Sequence, residues 1–518
     1  MDYTNIENEE KTVCKKKYVY TVFDGVMSIA SFILGFLFVK WVMTPGSGAG
    51  AFVFTILLIA ASLVYLKANG IRVTPVSAAF IAVTLIFSSV FLISSNDFIK
   101  GLTAAYVVFS SPYWFFSTCA NAGRGEKFIN DIFAPQMLKA VFAAPFAAFG
   151  KIFGALSVFF KKGGAAAKRA LHVALGLLIT ILPTYIIIAL LNNISAEFAS
   201  VMRNVINFIY SSIFADFISN LLQFTFLGIP VAIYIYGVLF ANAKNLAPEL
   251  LNRAHSESLI SSLRFMPQLI AVSAAAPIIL IYTIFFAVQF TYFSSAFAGA
   301  LPPGFSYAEY ARQGFFELCG VSLINFIIIL CISVLTRKNN NEKNGGIVPK
   351  ILILIFSAYT LLLIATAISK MALYIKAYGM TPLRVYTSWF MLLLAAVFII
   401  IIIKQFSAKL NSFAAVFVIF AVMFGTLIFC DADAVIVNYN IKSYLSGGHE
   451  TFDVNMAATE LSDSAAPYLL PVLDKVTEGY DKEYIKNIKE LMYSRAKDKT
   501  QFPKFNFSSY RAYRSMLP

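Results

Sequence analysis

Residues 384–404 read "RVYTSWFMLLLAAVFIIIIIK". From Trp389 to Ile403, fifteen positions in a row are apolar, and charge stands only at the two ends, as Arg384 and Lys404. At 1.5 Å per residue, about 20 helical residues cover the roughly 30 Å hydrocarbon core of a bilayer. A membrane strand would alternate polar and apolar residues over about ten positions, and this run does not alternate. Tyr386 and Trp389 near one end fit the aromatic belt at a membrane surface. The stretch is a membrane-crossing helix.

The same reading extends to ten other stretches, giving eleven spans: 19–43, 50–66, 74–94, 100–118, 170–192, 217–241, 266–290, 315–336, 347–369, 384–404 and 412–430. Composition agrees. Hydrophobic residues are 59% of the 518, charged residues 13%, and the mean hydropathy is +0.74. A soluble chain of this length has too little interior to hide so much apolar surface. The expected fold class is an all-α integral membrane protein of about 11 transmembrane helices, with interfacial amphipathic helices and a small helical C-terminal tail. Three regions follow: a cytoplasmic N-terminal tail (1–18), a polytopic domain (19–430) and an extracytoplasmic tail (431–518). The first 18 residues are polar and the apolar run after them is full-length, which predicts an uncleaved signal-anchor.

Basic residues give the orientation. With the N-terminus inside, 23 Lys and Arg fall on the inner side and 7 on the outer connectors; the tail holds 11 basic and 12 acidic residues. The positive-inside rule selects that threading, in a cell (plasma) membrane. The formal net charge of +14 is therefore an inner-face property. It is not a nucleic-acid footprint, for which a soluble basic module would be needed.

Two stretches lie along the surface in this threading. In 131–169, Lys139, Lys151, Lys161 and Lys162 punctuate an Ala/Phe-rich segment bent at Pro145. It is expected to rest on the inner interface with its lysines toward anionic headgroups, as a linker or a lipid-sensing element. The apolar period of 193–216 suggests a surface helix on the outer side. In the tail, "DKEYIKNIKELMYSRAKDK" (481–499) sets Ile485, Ile488, Leu491 and Met492 on one helical face, and Ser462 stands where an N-cap belongs.

Functional candidates are few. Pro183, Pro230 and Pro277 fall near the middles of three successive spans, where a missing donor frees a carbonyl and can open a cavity. Asp24 and His172 lie near span ends, where they can reach headgroups or neighbouring lysines. "SYAEYARQGFFELCG" (306–320) places Glu309 and Arg312 as i,i+3 partners before Glu317, and Tyr378 and Arg384 stand at the next outer connector. A Glu317–Arg384 pair there would hold two helices together or bind a charged ligand. Asn325, mid-span, would line a polar path. No GxSxG, HExxH, P-loop or GxGxxG occurs, so no catalytic, cofactor-binding or metal residue is assigned and no cofactor is expected. The five cysteines stand singly, as isolated thiols or with one Cys319–Cys430 bridge. No internal repeat indicates inverted-repeat symmetry.

"YAEYARQGFFELCGVSLIN", "YGMTPLRVYTSWF", "DADAVIVNYNI" and "FDVNMAATELSDSAAPYL" resemble a family of bacterial polytopic inner-membrane proteins catalogued as a domain of unknown function. "LLNNISAEFASVM" and the closing "FNFSSYRAYRSML" are similar to further segments of that family. The chain departs from it at Val437 and Asn438, where relatives carry Ala-Arg, and at Met456, where they carry Tyr. The resemblance covers residue 170 to the C-terminus and implies an inner-membrane location without an assigned activity. The expected function is non-catalytic handling or transport of a small solute or lipid, and its partners are membrane lipids and a small-molecule ligand. A signalling or scaffold protein whose outer tail binds a partner is the alternative, and a lipid-substrate transferase is a third.

Overall fold

The computed structural model describes residues 19–124, 133–160, 176, 180, 184, 187–188, 190–210, 223–246, 262–297, 315–337, 346–407, 409–449, 451–477 and 480–517. Among them the long elements are all helices. They are α1 (Val22–Trp41), α2 (Ala49–Ala68), α3 (Pro75–Ser88), α4 (Asp97–Arg124), α5 (Lys151–Phe160), α6 (Ala196–Tyr210), α7 (Ile229–Ala243), α8 (Gln268–Phe297), α9 (Phe315–Leu335), α10 (Ile347–Tyr378), α11 (Pro382–Phe406), α12 (Ser412–Phe429), α13 (Ala432–Leu445), α14 (Lys482–Asp498) and α15 (Phe507–Ser515). Thr74, Thr381 and Asn411 cap α3, α11 and α12 through side-chain oxygens, and prolines open α3 and α11 where no donor is needed.

Nine of the described segments are long and apolar enough to cross a membrane: α1, α2, α3 extended to Ile93, α7 with the turn before it from Phe224, and α8 to α12. This is a multi-pass helical membrane protein, with fewer such segments than the eleven expected. Residues 100–118 do form a helix, within α4, but it carries Asp97, Lys100 and Pro112 and is not among the nine. Most of 170–192 lies outside the described residues. The stretch expected to rest on the inner interface forms two limbs, Pro135–Ala147 and Lys151–Phe159, bent by 54° and together also apolar enough for a broken span or a re-entrant loop. Gly150 (φ +80°) separates the limbs, while Pro145 is accommodated inside the first. A left-handed glycine ends a helix more sharply than an early proline does.

Contacts divide the chain into two units, Met1–Val39 with Ala60–Ile71 and Ala144–Leu246, and Lys40–Ile59 with Arg72–Ala143 and Ala247–Pro518. In the first, α1 presents a stripe of small residues, Gly25, Ser28, Ser31 and Gly35, that lets backbones meet. Ser28 Oγ donates to Ile152 O at 3.1 Å, and a Cβ on Gly35 would collide with Gly228 O. Small-residue stripes serve this purpose in membranes, where apolar attraction between helices is weak. Asp24 is 1% exposed and forms a capping box with Thr21, with Tyr65 Oη donating to its other oxygen at 2.7 Å. It faces protein rather than headgroups.

In the second unit α10 packs against α8, α9 and α11 around the buried Phe356, Ile364, Met391 and Phe398. The tail expected to be an appendage is a folded cap. Ile436, Val437, Leu469, Ile488, Met492 and Ala512 form its core, and Met380 of the α10–α11 connector and Val385 in the first turn of α11 pack onto it. Leu491 stays 46% exposed, so the buried face of α14 is narrower than the sequence pattern implied. Backbone bonds from Ala49 N to Phe505 O (2.7 Å) and Gly50 N to Pro503 O (2.9 Å) tie the α1–α2 connector to the cap. Asn96, between α3 and α4, reaches Asp433 of the cap at 2.7 Å. Asn440 brackets Met380, accepting from its N–H and donating to its carbonyl, both at 2.8 Å. Three connectors and the cap thus share one face of this unit.

Candidate functional site

Of the anticipated rim pair, only the Arg384 half lies among the described side chains. Arg384 lies with its guanidinium 3.8 Å from the centre of the Tyr374 ring and donates to the carbonyls of Tyr378 (3.0 Å) and Gly379. It closes the C-terminal end of α10, where free carbonyls and the helix dipole attract a cation. Tyr378 contributes that carbonyl while its own side chain is largely exposed. Glu317 sits in the first turn of α9 with its side chain outside the described residues, and Glu309 and Arg312 also lie outside them.

Asn325 is wholly buried and joins three helices: Tyr282 Oη donates to its Oδ1 at 2.8 Å, and its Nδ2 donates to Thr360 Oγ1 at 2.8 Å. That is a polar clasp inside the bundle, not an open path. Pro230 opens α7 and Pro277 lies within α8, and both are surface-exposed in their own units. Pro183, His172, Lys161 and Lys162 fall outside the described residues. Lys139 is 2% exposed, with its ammonium 5.7 Å from the centre of the Phe116 ring, so it turns inward rather than toward headgroups; Lys151 is half-buried. Cys119, Cys319, Cys331 and Cys430 are free thiols. Among the described residues no group of three or more His, Cys, Asp or Glu gathers as a metal site.

What the structure does assemble, under the cap, are two buried carboxylates that sequence reading did not single out. Asp433, in the first turn of α13, is 1% exposed. Its Oδ2 accepts from Asn96 Nδ2 (2.7 Å) and from Ser462 N (3.1 Å), while Oδ1 is buried without a hydrogen-bond partner. Asn96 also caps α4, accepting from Ile99 N at 2.9 Å, and donates to Tyr386 Oη at 2.7 Å. Ser462 contributes its amide here, while its hydroxyl meets Ser464 at 3.0 Å and caps no helix. Burial raises the Asp433 carboxyl above its ordinary 3.8, the donors from Ser462 and Asn96 pull it down, and Asp431 nearby adds to the rise.

A pH prediction follows. The folded protein holds this proton more tightly than the unfolded chain does. The stabilisation is complete below the ordinary carboxylate range and is lost as pH rises through the elevated value. Asp433→Asn, which cannot ionise, is expected to flatten the pH dependence of the melting temperature between pH 4 and 8 and to gain on the parent at the alkaline end. Asp433→Ala strands the Asn96 and Ser462 donors, at about 1–3 kcal/mol each, and is expected to melt lower at every pH. Thermal unfolding of both variants across that range checks it. A parental curve already flat, or an asparagine variant that parallels it, would remove Asp433 as the titrating group.

The second carboxylate is Asp463, 1% exposed. Arg495 Nε donates to Oδ1 at 2.6 Å, Ser509 Oγ donates to Oδ2 at 2.6 Å, and Lys499 Nζ lies 3.7 Å from Oδ2. Asp463 therefore ties its own short turn to α14 and α15. Within electrostatic reach, in the first turn of α4, stands Lys100. It is 3% exposed and its ammonium is buried without a hydrogen-bond partner.

The chain belongs to the family described as Domain of unknown function (DUF4153), whose model matches residues 78–472. The match begins well before residue 170, where the resemblance was first drawn, and it takes in Lys100, Asp433 and Asp463; it ends before α14, leaving Arg495, Lys499 and the closing "FNFSSYRAYRSML" outside. No curated protein and no solved structure matches the chain significantly.

Proposed function

We propose that this family member acts without catalysis, as a multi-pass protein of the plasma membrane that binds a small solute or a lipid at the capped face of its second unit and hands it to or across the bilayer. One observation carries the reading. Where the connectors meet the cap, the buried side chains of Lys100 and Asp433 each present a polar atom that has no hydrogen-bond partner among the described residues. Desolvating such atoms costs free energy, and a rigid structural joint would pair them or replace them with apolar groups. A site that accepts a ligand keeps them.

The cap is then a lid on the connectors, and the inner-positive charge bias sets it on the extracytoplasmic side. A scaffold role is the second reading, and the Asn325 clasp favours it, because a tied three-helix core has no need to rearrange.

Thermal unfolding of the detergent-purified full chain against metabolites, ions and lipids separates the two. A ligand that binds only the folded state raises stability by about 2.7 kcal/mol at one hundred times its dissociation constant. A concentration-dependent rise for any small molecule or lipid supports ligand handling. A flat response to the whole panel leaves the scaffold reading standing.

A further inference from the structure

We propose that Lys100 and Lys499 form a binding site for a phosphate oxyanion, carried either by a phospholipid headgroup or by free phosphate; this deepens, and rests on, the ligand-handling reading above. The site has four components. Lys100 is 3% exposed and its ammonium lacks a partner. Lys499 is 9% exposed, and its only ion pair among the described residues is the 3.7 Å one to Asp463. The α1–α2 connector lies against it, since a Cβ on Gly46 would stand 3.4 Å from Lys499 Cε. Five residues before Lys100, Ser95 donates its hydroxyl to that of Ser508 at 3.2 Å, which leaves the Ser508 hydroxyl proton as a neutral donor.

Charge selects the ligand. Asp463 is already committed to Arg495 and Ser509 at 2.6 Å each. Arg495 also donates to the carbonyl of Ala458 at 3.1 Å and is partly open to solvent, so its charge is served. The buried remainder is the two ammonium groups of Lys100 and Lys499 against the one carboxylate of Asp463, which they share with Arg495. Asp97 acts on Lys100 only from the exposed surface, so the buried side of the site keeps an excess of positive charge. A singly charged phosphodiester or a monobasic phosphate neutralises it. Lysine binds phosphate as a point charge without needing the planar fork of arginine.

Position selects the same chemistry. Lys100 stands seven residues beyond the apolar segment Pro75–Ile93, in the first turn of the next helix, and the end of a membrane-crossing segment is where lipid phosphates are met. An ammonium buried here with no hydrogen-bond partner among the described residues destabilises the empty protein, because Asp97 acts on it from the exposed surface and Asp463 is bonded to Arg495 and Ser509. Its retention is explained by an anion that arrives from outside the chain.

The test uses the full chain, delipidated in a phosphate-free maltoside detergent at constant ionic strength. Inorganic phosphate is titrated in one arm and short-chain phosphatidylglycerol in the other, with chloride and a neutral glucoside lipid as controls. Melting temperature and native mass spectrometry are the readouts. The parent protein is expected to gain melting temperature with one of the phosphate sources and with neither control. A response to phosphatidylglycerol alone makes the ligand a lipid, and a response to both makes it the free anion.

Lys100→Met, close in length and uncharged, is expected to melt higher than the parent in the absence of ligand and to weaken the response at least tenfold. A merely structural lysine would give the opposite first result. Lys499→Gln, at the edge of the site, is expected to weaken the response as well and serves if Lys100→Met does not fold. Equal responses of parent and both variants, or no response of the parent to either source, overturns the proposal. A rise with an uncharged or cationic metabolite instead overturns the phosphate assignment while leaving ligand handling intact.

Discussion

Replacing Asp463 with alanine is expected to lower the unfolding free energy of the protein by about 3–5 kcal/mol, the usual cost of removing one partner from a buried ion pair. Three groups depend on this carboxylate: Arg495 and Ser509, each bonded to it at 2.6 Å, and Lys499 at 3.7 Å. Lys100 feels its charge from the start of α4. Without Asp463, Arg495 and Lys499 lose the carboxylate paired with them, Lys100 is left with the exposed Asp97, and the Ser509 hydroxyl loses its acceptor. Total stabilities of 5–15 kcal/mol make a loss of that size visible as a fall of many degrees in melting temperature.

Asp463→Asn keeps an acceptor for Ser509 and is expected to fall between parent and alanine. The decisive variant is the triple change Asp463→Ala, Lys100→Met, Lys499→Met. If the penalty is uncompensated charge, removing the cations restores much of the lost stability, and the changes are strongly non-additive. An alanine variant within about 0.5 kcal/mol of the parent, the ordinary range for surface positions, would show that the network does not hold the cap.

Why the sequence announced the membrane helices and not this network is a matter of distance along the chain. A span is a local property: length and apolarity over some twenty residues place it, so the expected 74–94, 384–404 and 412–430 correspond to Pro75–Ile93, Pro382–Phe406 and Ser412–Phe429 with errors of two residues or fewer. The α14 face that buries Ile488 and Met492 was legible for the same reason. Asp433 and Asn96 are 337 positions apart, and Asp463 and Arg495 32, so no local pattern joins them.

Some signals were present and under-read. Arg384 follows Gly379 and Pro382 across one turn, the pattern of a helix end whose free carbonyls attract a cation, and it does bond the Tyr378 and Gly379 carbonyls. The spacing of Gly25, Ser28, Ser31 and Gly35 is a close-packing stripe visible in α1. Lys139, read as a headgroup anchor, is buried within a segment that bends into two limbs. For Lys139, charge was assigned to the nearest water, and the fold supplied a protein partner in the Phe116 ring.

Gly48 is where the connector and the cap meet most closely, and Gly48→Val is expected to undock the end of the cap. A Cβ built there would overlap the carbonyl oxygens of Lys504 and Phe505, which are backbone atoms and cannot swing aside as a side chain tip would. Relief requires the 503–505 segment to move away. That movement breaks the adjacent bonds from Ala49 N to Phe505 O and from Gly50 N to Pro503 O. Trp41 would also lose its edge-on contact with Phe502, whose ring centre is 5.1 Å away. Overpacking of this kind costs about 1–3 kcal/mol before the hydrogen bonds are counted, and stranded buried amides add about 1–3 kcal/mol each.

Because the damage is confined to the joint, the helices within the membrane are expected to stay assembled while α15 and the chain leading to it become accessible. Limited proteolysis should therefore cut the Gly48→Val protein in residues 499–517 at protease levels that leave the parent whole, with helical circular dichroism unchanged. Gly46→Ala is the natural control. Its Cβ would meet only the Lys499 side chain, at 3.4 Å, but Gly46 holds φ +76°, so the variant pays backbone strain without a wedge. Equal cleavage of the two variants would attribute the effect to the connector's own conformation. Cleavage in Gly48→Val alone would make the backbone contact with Lys504 and Phe505 the latch. The same variant then serves the ligand question, because a latch that guards the Lys100 site should release a bound phosphate faster when it is forced open.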